Sequence, residues 1–262
     1  MRVYQFRHLG TQLEVAVLTC AGPRPSTAKL NPVASTAIAS TSANAYPAPM
    51  QTLALLDYGS GNVHSARRAL IEAARLASID VDVRLTDDPE TVRDADRIVL
   101  PGVGHFAQCM SALQSPAGLV DAITEASMER GQPFLGICVG MQLLSDFGAE
   151  DGNTRGLGWI HGAVLPIEPG PGLAVPHMGW NAITPLMPHP VLADLGPDPH
   201  AYFVHSYSFV PEDETHIAAS TSYGTPMVAA VADGPIIGTQ FHPEKSQAVG
   251  LKLLSNFLQW TP

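Results

Sequence analysis

The chain of 262 residues lacks several features, each of which would point to a particular class of protein. It contains no apolar run of about 18 residues, the minimum for a membrane-spanning helix, so no membrane association is expected. Its three cysteines, Cys20, Cys109 and Cys138, are far apart and form no C-x-x-C pair. This spacing argues against a disulfide framework and against a zinc site, and it favours a reducing, cytoplasmic environment.

Basic side chains are also scarce, with 14 lysines and arginines against 24 aspartates and glutamates, which gives a formal net charge of −10. Because nucleic acid is bound by clustered positive charge, it is not an expected partner. Glycine and proline are abundant, with 23 of each. They predict many turns rather than a helical bundle.

The first fifty residues differ in composition from the rest. Residues 21–50 are rich in Ala, Ser, Thr and Pro, and such a segment buries too little apolar surface to offset the entropy lost on ordering. Three interpretations remain open: a targeting segment, a disordered extension, or an upstream stretch read before a start at Met50. We therefore predict an N-terminal extension over 1–50 and a folded domain over 51–262, and we expect no catalytic role for the extension.

From Gln51 onward, short apolar runs alternate with amphipathic segments. Runs typical of buried strands lie at 52–56, 81–85, 97–100 and 133–137. Helices are predicted over 62–76, 118–130, 139–147 and 246–260. Further short strands are predicted around LGWI, AVL, NAI, AYFV, MVAAVA and PIIGTQF. This alternation predicts an α/β fold: a doubly wound, largely parallel mixed sheet with helices on both faces.

One cysteine lies in a setting that suits a nucleophile. Cys138 stands between a predicted strand and a predicted helix, with Gly136 and Gly140 two positions away on either side. The spacing is typical of the sharp elbow of hydrolases, because glycines remove Cβ atoms that would clash there. The N-terminus of the following helix favours a thiolate. A buried cysteine without chemistry is the alternative, and we interpret Cys109 in that way, as a core residue.

A histidine and a carboxylate follow in the segment Phe241-His242-Pro243-Glu244. On an extended segment residues i and i+2 project to the same side, so Glu244 can accept a hydrogen bond from His242. A base held by a carboxylate is what a cysteine nucleophile requires. Taken alone the segment can be an ordinary turn, but with Cys138 it completes a Cys-His-Glu triad.

Two glycine-containing loops follow predicted strands. Pro101-Gly102-Val103-Gly104 can direct backbone N–H groups into a site at the carboxyl end of a parallel strand, and a simple tight turn is the alternative. Gly59-Ser60-Gly61-Asn62 begins like a dinucleotide-binding fingerprint, but His64 occupies the position of the third glycine. We therefore expect no dinucleotide cofactor.

The segments around these residues resemble the class I (triad) glutamine amidotransferases. The resemblance is carried by GICVGMQLL at 136–144, PGVGHF at 101–106 and FHPEKS at 241–246. Three further segments, DYGSGN, PHMGWN and YFVHSY, are similar to one branch of this family, the glutaminase subunits of imidazole glycerol phosphate synthases in histidine biosynthesis. The resemblance covers essentially all of 51–262 and implies the hydrolysis of L-glutamine without a cofactor or metal.

The resemblance also implies the roles of individual residues. The implied catalytic residues are Cys138, His242 and Glu244, with backbone N–H groups of Val103 and Val139 as oxyanion donors. The implied substrate-binding residues are Gly102, Gly104, Gln142, Glu150, Ser206 and Tyr207.

The resemblance implies a partner as well, because ammonia must reach an acceptor. The expected partner is a separate cyclase subunit with a (β/α)8 barrel, in a heterodimer that makes imidazole glycerol phosphate and an aminoimidazole carboxamide ribonucleotide. The implied interface residues are Asn62, Trp180, Tyr202 and Lys245. Alternatives are a glutaminase subunit for another acceptor, such as that of anthranilate synthase, a peptidase or γ-glutamyl hydrolase of similar fold, and a catalytically silent binding protein.

Overall fold

An eight-stranded mixed sheet forms the centre of the protein. The structure is a computed structural model that describes residues 50–262; the predictions for the N-terminal extension and Cys20 lie outside the described residues. The described residues form fourteen strands, eight of which make this sheet and six of which form two smaller sheets. The strands are β1 (Gln51–Leu56), β2 (Val81–Thr86), β3 (Arg97–Gly102), β4 (Phe134–Cys138), β5 (Phe147–Gly148), β6 (Thr154–Arg155), β7 (Gly162–Pro166), β8 (His177–Ala182), β9 (Thr184–Pro185), β10 (His200–His205), β11 (Tyr207–Pro211), β12 (Ile217–Tyr223), β13 (Thr225–Asp233) and β14 (Ile236–Thr239).

The order of the strands in the central sheet is β2-β1-β3-β4-β14-β13-β12-β9. The pairs from β2 to β14 are parallel, and the pairs from β14 to β9 are antiparallel. The predicted α/β fold with a mixed sheet is confirmed. Gly102, the last residue of β3, is in register with Cys138, the last residue of β4. The carboxyl ends of these parallel strands therefore meet, which is where sites form in such sheets.

The helices are α1 (Val63–Ala77), α2 (Pro89–Asp94), α3 (Phe106–Gln114), α4 (Leu119–Thr124), α5 (Val139–Gln142) and α6 (Gln247–Gln259). Helix α1 begins as the sequence predicts, because Oδ1 of Asn62 accepts a hydrogen bond from the Ser65 N–H at 3.4 Å. The predicted helix 118–130 is α-helical only as far as Thr124 and continues as a π-helical turn, Glu125–Glu129. Within residues 50–262 no helix is long and apolar enough to cross a membrane.

Two sequence-based expectations after Cys138 are wrong, for one physical reason. The predicted helix 139–147 ends at Gln142, and LGWI (157–160) is not a strand. The carbonyls of Leu143, Leu144 and Ser145 accept hydrogen bonds from the backbone N–H groups of 157–160, at 2.8–3.1 Å. Because the loop N–H groups take up these carbonyls, no further helical hydrogen bonds form to them and the helix ends. The same N–H groups are then not available for pairing in a strand. The sequence also did not predict the short strands β5 and β6 or the longer strands β11 and β12, which pair antiparallel with β7 and β13.

Candidate active site

Cys138 lies at a strained turn between β4 and α5. Its φ of 56° and ψ of −111° are rare for a residue other than glycine, and its side chain is only 4% exposed. A Cβ on Gly136 would lie 2.6 Å from the carbonyl oxygen of Gly140, and a Cβ on Gly140 would overlap the carbonyl oxygen of Leu100. The two glycines thus allow the close strand–helix approach that the turn requires, as the sequence predicts.

His242 and Glu244 form a buried pair. The Nδ1 atom of His242 lies 2.7 Å from Oε1 of Glu244. This contact arises in a 3₁₀ turn, Pro243–Lys245, rather than in the extended segment that the sequence indicated. Burial lowers the pKa of His242, but the neighbouring Cys138 and Glu244 outweigh burial and raise the pKa to about 9. A raised pKa favours the protonated imidazolium form of this ring.

The loop after β3 is held from one side by three polar side chains. The Tyr58 hydroxyl donates to the carbonyl of Pro101 at 2.8 Å, and the Ser60 hydroxyl donates to the carbonyl of Val103 at 3.0 Å. The Cys109 thiol also donates to the Val103 carbonyl, at 3.3 Å. Cys109 is thus more than the core residue that the sequence suggested, because it supports this loop. Gly104 ends the loop with a φ of 97°.

The two proposed oxyanion donors, Val103 and Val139, line the same cleft as Cys138. Val103 is 40% exposed, and Val139 is the first residue of α5. The N–H of a first helical residue has no acceptor within its own helix. A Cβ on Gly102 would lie 2.7 Å from the backbone nitrogen of Gly140, so only glycine brings the loop this close to the elbow.

Gln142 is buried and fixed by two acceptors. Its Nε2 atom donates to the carbonyl of Tyr207 at 3.0 Å and to Oε1 of Gln240 at 3.1 Å. The Tyr207 carbonyl also lies 2.8 Å from Nδ1 of His205. The Tyr207 carbonyl is therefore held from two sides.

Glu150 bridges the cleft wall and the start of α3. Its Oε2 accepts from the backbone N–H of Phe106 at 2.8 Å, and its Oε1 lies 3.1 Å from Nδ1 of His105. A carboxylate at the first N–H of a helix satisfies a group that has no partner within the helix. Glu150 therefore has a capping role in the fold in addition to its place in the cleft.

An open cleft of about 540 Å³ brings most of the predicted site residues together. The predicted residues that line it are Asn62, Val103, Gly104, Cys138, Val139, Gln142, Glu150, Ser206, Tyr207, His242 and Lys245. The other predicted residues, Gly102, Glu244, Trp180 and Tyr202, are not part of this lining. Within residues 50–262 there is no group of three His, Cys, Asp or Glu side chains that could hold a metal ion.

Three of the predicted interface residues form a surface cluster. Trp180 is 49% exposed and meets the Tyr202 ring edge-on, with 6.2 Å between the centroids. The Nζ atom of Lys245 lies 5.6 Å from the centroid of that tyrosine. Exposed Val175 and Met178 lie near Trp180 along the chain, before and within β8. This apolar surface borders the cleft through Lys245.

Sequence reasoning missed a chain of polar side chains that begins at His205 in the cleft lining. Nδ1 of His177 lies 3.0 Å from Nε2 of His205, and the Asn181 amide lies 3.1 Å from Nε2 of His177. Burial lowers the pKa of His205 to about 4, so this ring is neutral. Gln240, also missed, donates from Nε2 to the sulfur of Cys138 at 3.7 Å. The sequence did contain a signal for Gln240, because this residue immediately precedes the FHPEKS segment that carries His242 and Glu244.

Comparisons with known proteins agree with this geometry. The family model described as glutamine amidotransferase class-I matches residues 54–260. The imidazole glycerol phosphate synthase subunit HisH of Rhodospirillum rubrum is 52% identical over 212 residues, which cover 80% of this chain and 99% of that protein. The HisH subunit of Caulobacter vibrioides is 50% identical, over 81% of this chain and all of that protein.

Solved structures show the same fold at low identity. A crystal structure described as a glutamine amidotransferase has a TM-score of 0.59 at 18% identity, covering 79% of this chain and 97% of that one. A putative GMP synthase subunit from Thermoplasma acidophilum has a TM-score of 0.55 at 20% identity, covering 80% and 93%. The chain therefore belongs to the class I glutamine amidotransferase family, in the group of the HisH subunits of imidazole glycerol phosphate synthase.

Proposed function

We propose that the chain hydrolyses L-glutamine to L-glutamate and ammonia, with Cys138 as the nucleophile and His242 and Glu244 as its partners. The observation that carries this proposal is the contact between Glu244 and Nδ1 of His242, which leaves Nε2 of a positively charged ring for the cysteine sulfur. The strained turn at Cys138 supports the same role, because strain of this kind occurs where a nucleophile must be presented.

In the first half of the reaction, the Cys138 thiolate attacks the side-chain amide carbon of glutamine. The negative charge that develops on the amide oxygen is stabilised by the N–H groups of Val103 and Val139, each worth roughly 3 kcal/mol. His242 gives its proton to the amide nitrogen as the carbon–nitrogen bond breaks. Ammonia leaves, and a glutamyl thioester remains on the cysteine.

In the second half, water replaces ammonia. The now neutral His242 takes a proton from the attacking water, the new carbon–oxygen bond forms, and the carbon–sulfur bond breaks to release glutamate. Glu244 fixes the tautomer of His242 and stabilises its charged form in both halves. The imidazolium–thiolate pair is then restored.

The amino-acid end of glutamine is proposed to bind at Gln142 and Glu150. Both hydrogens of Gln142 Nε2 already have acceptors, so the group it offers to a ligand is Oε1. A carbonyl oxygen and the Glu150 carboxylate, both on the cleft, suit the α-ammonium of an amino acid. The backbone of Gly102, Gly104, Ser206 and Tyr207 completes the proposed subsite.

We further propose that ammonia passes to a cyclase subunit with a (β/α)8 barrel, in a cytoplasmic heterodimer that makes imidazole glycerol phosphate and an aminoimidazole carboxamide ribonucleotide. Ammonia released into water is protonated and lost as a nucleophile, so a closed route to an acceptor is needed. The relatives are named as synthase subunits. The surface cluster of exposed Trp180, half-buried Tyr202 and exposed Lys245, with Asn62 at the cleft, offers the surface for that partner.

The test compares two cysteine variants of the full chain. Cys138→Ala removes the nucleophile, so glutamate production is expected to fall by at least about 10⁴-fold. Cys109→Ser keeps a donor to the Val103 carbonyl and is expected to keep most of the turnover. Glutamate release by a well-folded Cys138→Ala chain would contradict the assignment of the nucleophile.

A further inference from the structure

The side chain of residue Gln240 contacts the reacting sulfur of Cys138 and has no part in the mechanism described so far. Gln240 is fully buried, with 0% exposure, and lies between β14 and His242. Its Nε2 atom is 3.7 Å from Sγ of Cys138, a separation at which an N–H donates to the large sulfur atom. Its backbone N–H donates to the carbonyl of Ala229 at 2.8 Å, which holds the residue beside β13.

The neighbours of Gln240 determine which end of its amide faces the sulfur. A backbone carbonyl can only accept, so Gln142 must turn Nε2 toward the carbonyl of Tyr207. The second hydrogen of that nitrogen goes to Gln240, so the oxygen of Gln240 must face Gln142. The remaining group, Nε2 of Gln240, is then the one that points at Cys138.

We propose that Gln240 is a further catalytic residue, whose side-chain amide donates a hydrogen bond to the sulfur of Cys138 and stabilises the thiolate. This inference rests on the proposed function, in which Cys138 is the nucleophile. The hydrogen bond is strongest when the sulfur carries a full negative charge. It therefore acts twice: it favours the thiolate before attack, and it reforms as the carbon–sulfur bond of the thioester breaks and the electron pair returns to sulfur.

The same bond connects the nucleophile with the proposed substrate subsite. Gln142 holds Gln240 in place, and Gln142 is also the proposed contact for the amino-acid end of glutamine. A substrate glutamine that fixes the side chain of Gln142 thereby also fixes the Gln240 amide, which donates to the Cys138 sulfur. Buried amide networks of this kind act as a unit when every member has its partner.

Other titratable groups surround Cys138, and any test must keep them constant. They are His242 and Glu244 after β14, His205 on β10, Tyr58 after β1, Cys109 on α3, and His105, Glu150 and Lys245 on the cleft. None of these groups is changed by substitution of Gln240. A change in the pH dependence of the sulfur in a Gln240 variant therefore reports on the amide itself.

The experiment measures alkylation of Cys138 by iodoacetamide in the full chain as a function of pH, with each cysteine followed by peptide mass spectrometry. Gln240→Met removes the donor at similar volume. The pH of half-maximal alkylation at Cys138 is expected to rise by about one unit or more. Gln240→Glu keeps an acceptor for Gln142 but replaces the donor with a carboxylate, so the rise is expected to be larger.

The matched control is Asn256→Leu. This variant also loses a side-chain amide, one that donates to the carbonyls of Val191 and Ala193 at 3.2 and 2.7 Å, outside the cleft. Its alkylation profile is expected to match that of the parent. A structural role for Gln240 would lower the melting temperature without moving the alkylation midpoint.

The outcomes separate the inference from the proposed function. If parent Cys138 is alkylated no faster than Cys109, the proposed nucleophile is wrong. If parent Cys138 is reactive but a folded Gln240→Met chain gives the same profile, Gln240 is not a catalytic residue. Should both variants unfold, NMR of the parent decides: the Gln240 side-chain amide resonance must shift with the titration of Cys138, and an unresponsive resonance overturns the inference.

Discussion

The two walls of the cleft are built in different ways. The wall that carries Cys138 is made by the ends of β3 and β4, where glycines let backbone approach backbone. The opposite wall, from β8 and β10, is made by side chains: His205, His177 and Asn181 in one hydrogen-bonded series. The first wall carries the backbone N–H groups of Val103 and Val139, which we propose as oxyanion donors. The second wall ends at the exposed Trp180, which we propose as a contact for the partner subunit.

The largest expected effect concerns the loop 101–104 at the end of β3, in the first wall. We expect the chain alone to be a poor glutaminase that is activated by the cyclase subunit with its nucleotide ligand. The resemblance implies that the resting loop can present a carbonyl in place of the Val103 N–H, and the glycines on either side permit that peptide to rotate. A missing donor costs on the order of 10²–10³ in rate, so activation should be at least that large.

The measurement is steady-state glutamate production by the chain alone, with the cyclase, and with the cyclase plus ligand. An anthranilate synthase partner serves as the control for another acceptor and is expected to have no effect. If the chain alone produces glutamate as fast as the liganded complex, neither rotation of the Val103 peptide nor the partner is needed for activity.

The second prediction compares the stability cost of adding a Cβ at a glycine in each wall. A Cβ at Gly140 would overlap the carbonyl of Leu100, whereas a Cβ at Gly179 on β8 would meet nothing within 4 Å. We expect Gly140→Ala to lower the free energy of unfolding by about 2–3 kcal/mol. Gly179→Ala is expected to cost about 1 kcal/mol, from its φ of 133°. Urea denaturation of both full-length variants measures this, and equal losses would contradict the comparison.

The sequence predicted the first wall better than the second. The geometry at Gly136, Gly140 and the segment 101–104 can be predicted from residue type, because only glycine fits where two backbones approach closely. The end of α5 at Gln142 was not predictable in this way, because it depends on hydrogen bonds from a loop fifteen residues farther along the chain. His205 and Gln240 were missed because their partners lie on other elements, and no local pattern records such contacts.

A third prediction uses pH to distinguish the contributions of His205 and His242 to stability. Burial lowers the pKa of His205 to about 4, so its contribution to stability is present above about pH 6.5 and is lost as the pH falls from there toward 4. For His242 burial is outweighed by Cys138 and Glu244, which raise the pKa to about 9. Its contribution is present below about pH 6.5 and is lost as the pH rises through 9.

Thermal melts across pH 4–10 are the measurement. His205→Asn keeps a donor for the Tyr207 carbonyl and should flatten the acid side of the stability profile. His242→Gln should flatten the alkaline side. If His205→Asn altered only the alkaline side, the neutral state assigned to His205 would be wrong.

The smallest expected effect comes from deleting residues 1–49. Their composition, rich in Ala, Ser, Thr and Pro, does not support a core, whereas the described domain has its own buried sheet. Melting temperatures of the full and truncated chains are therefore expected to coincide, and partner affinity should be equal in the two. The acidic domain carries more net negative charge without its basic extension, so the comparison is made at about 0.15 M salt, where exposed charges are screened. A fall of more than a few degrees on truncation would mean that the extension packs on the domain.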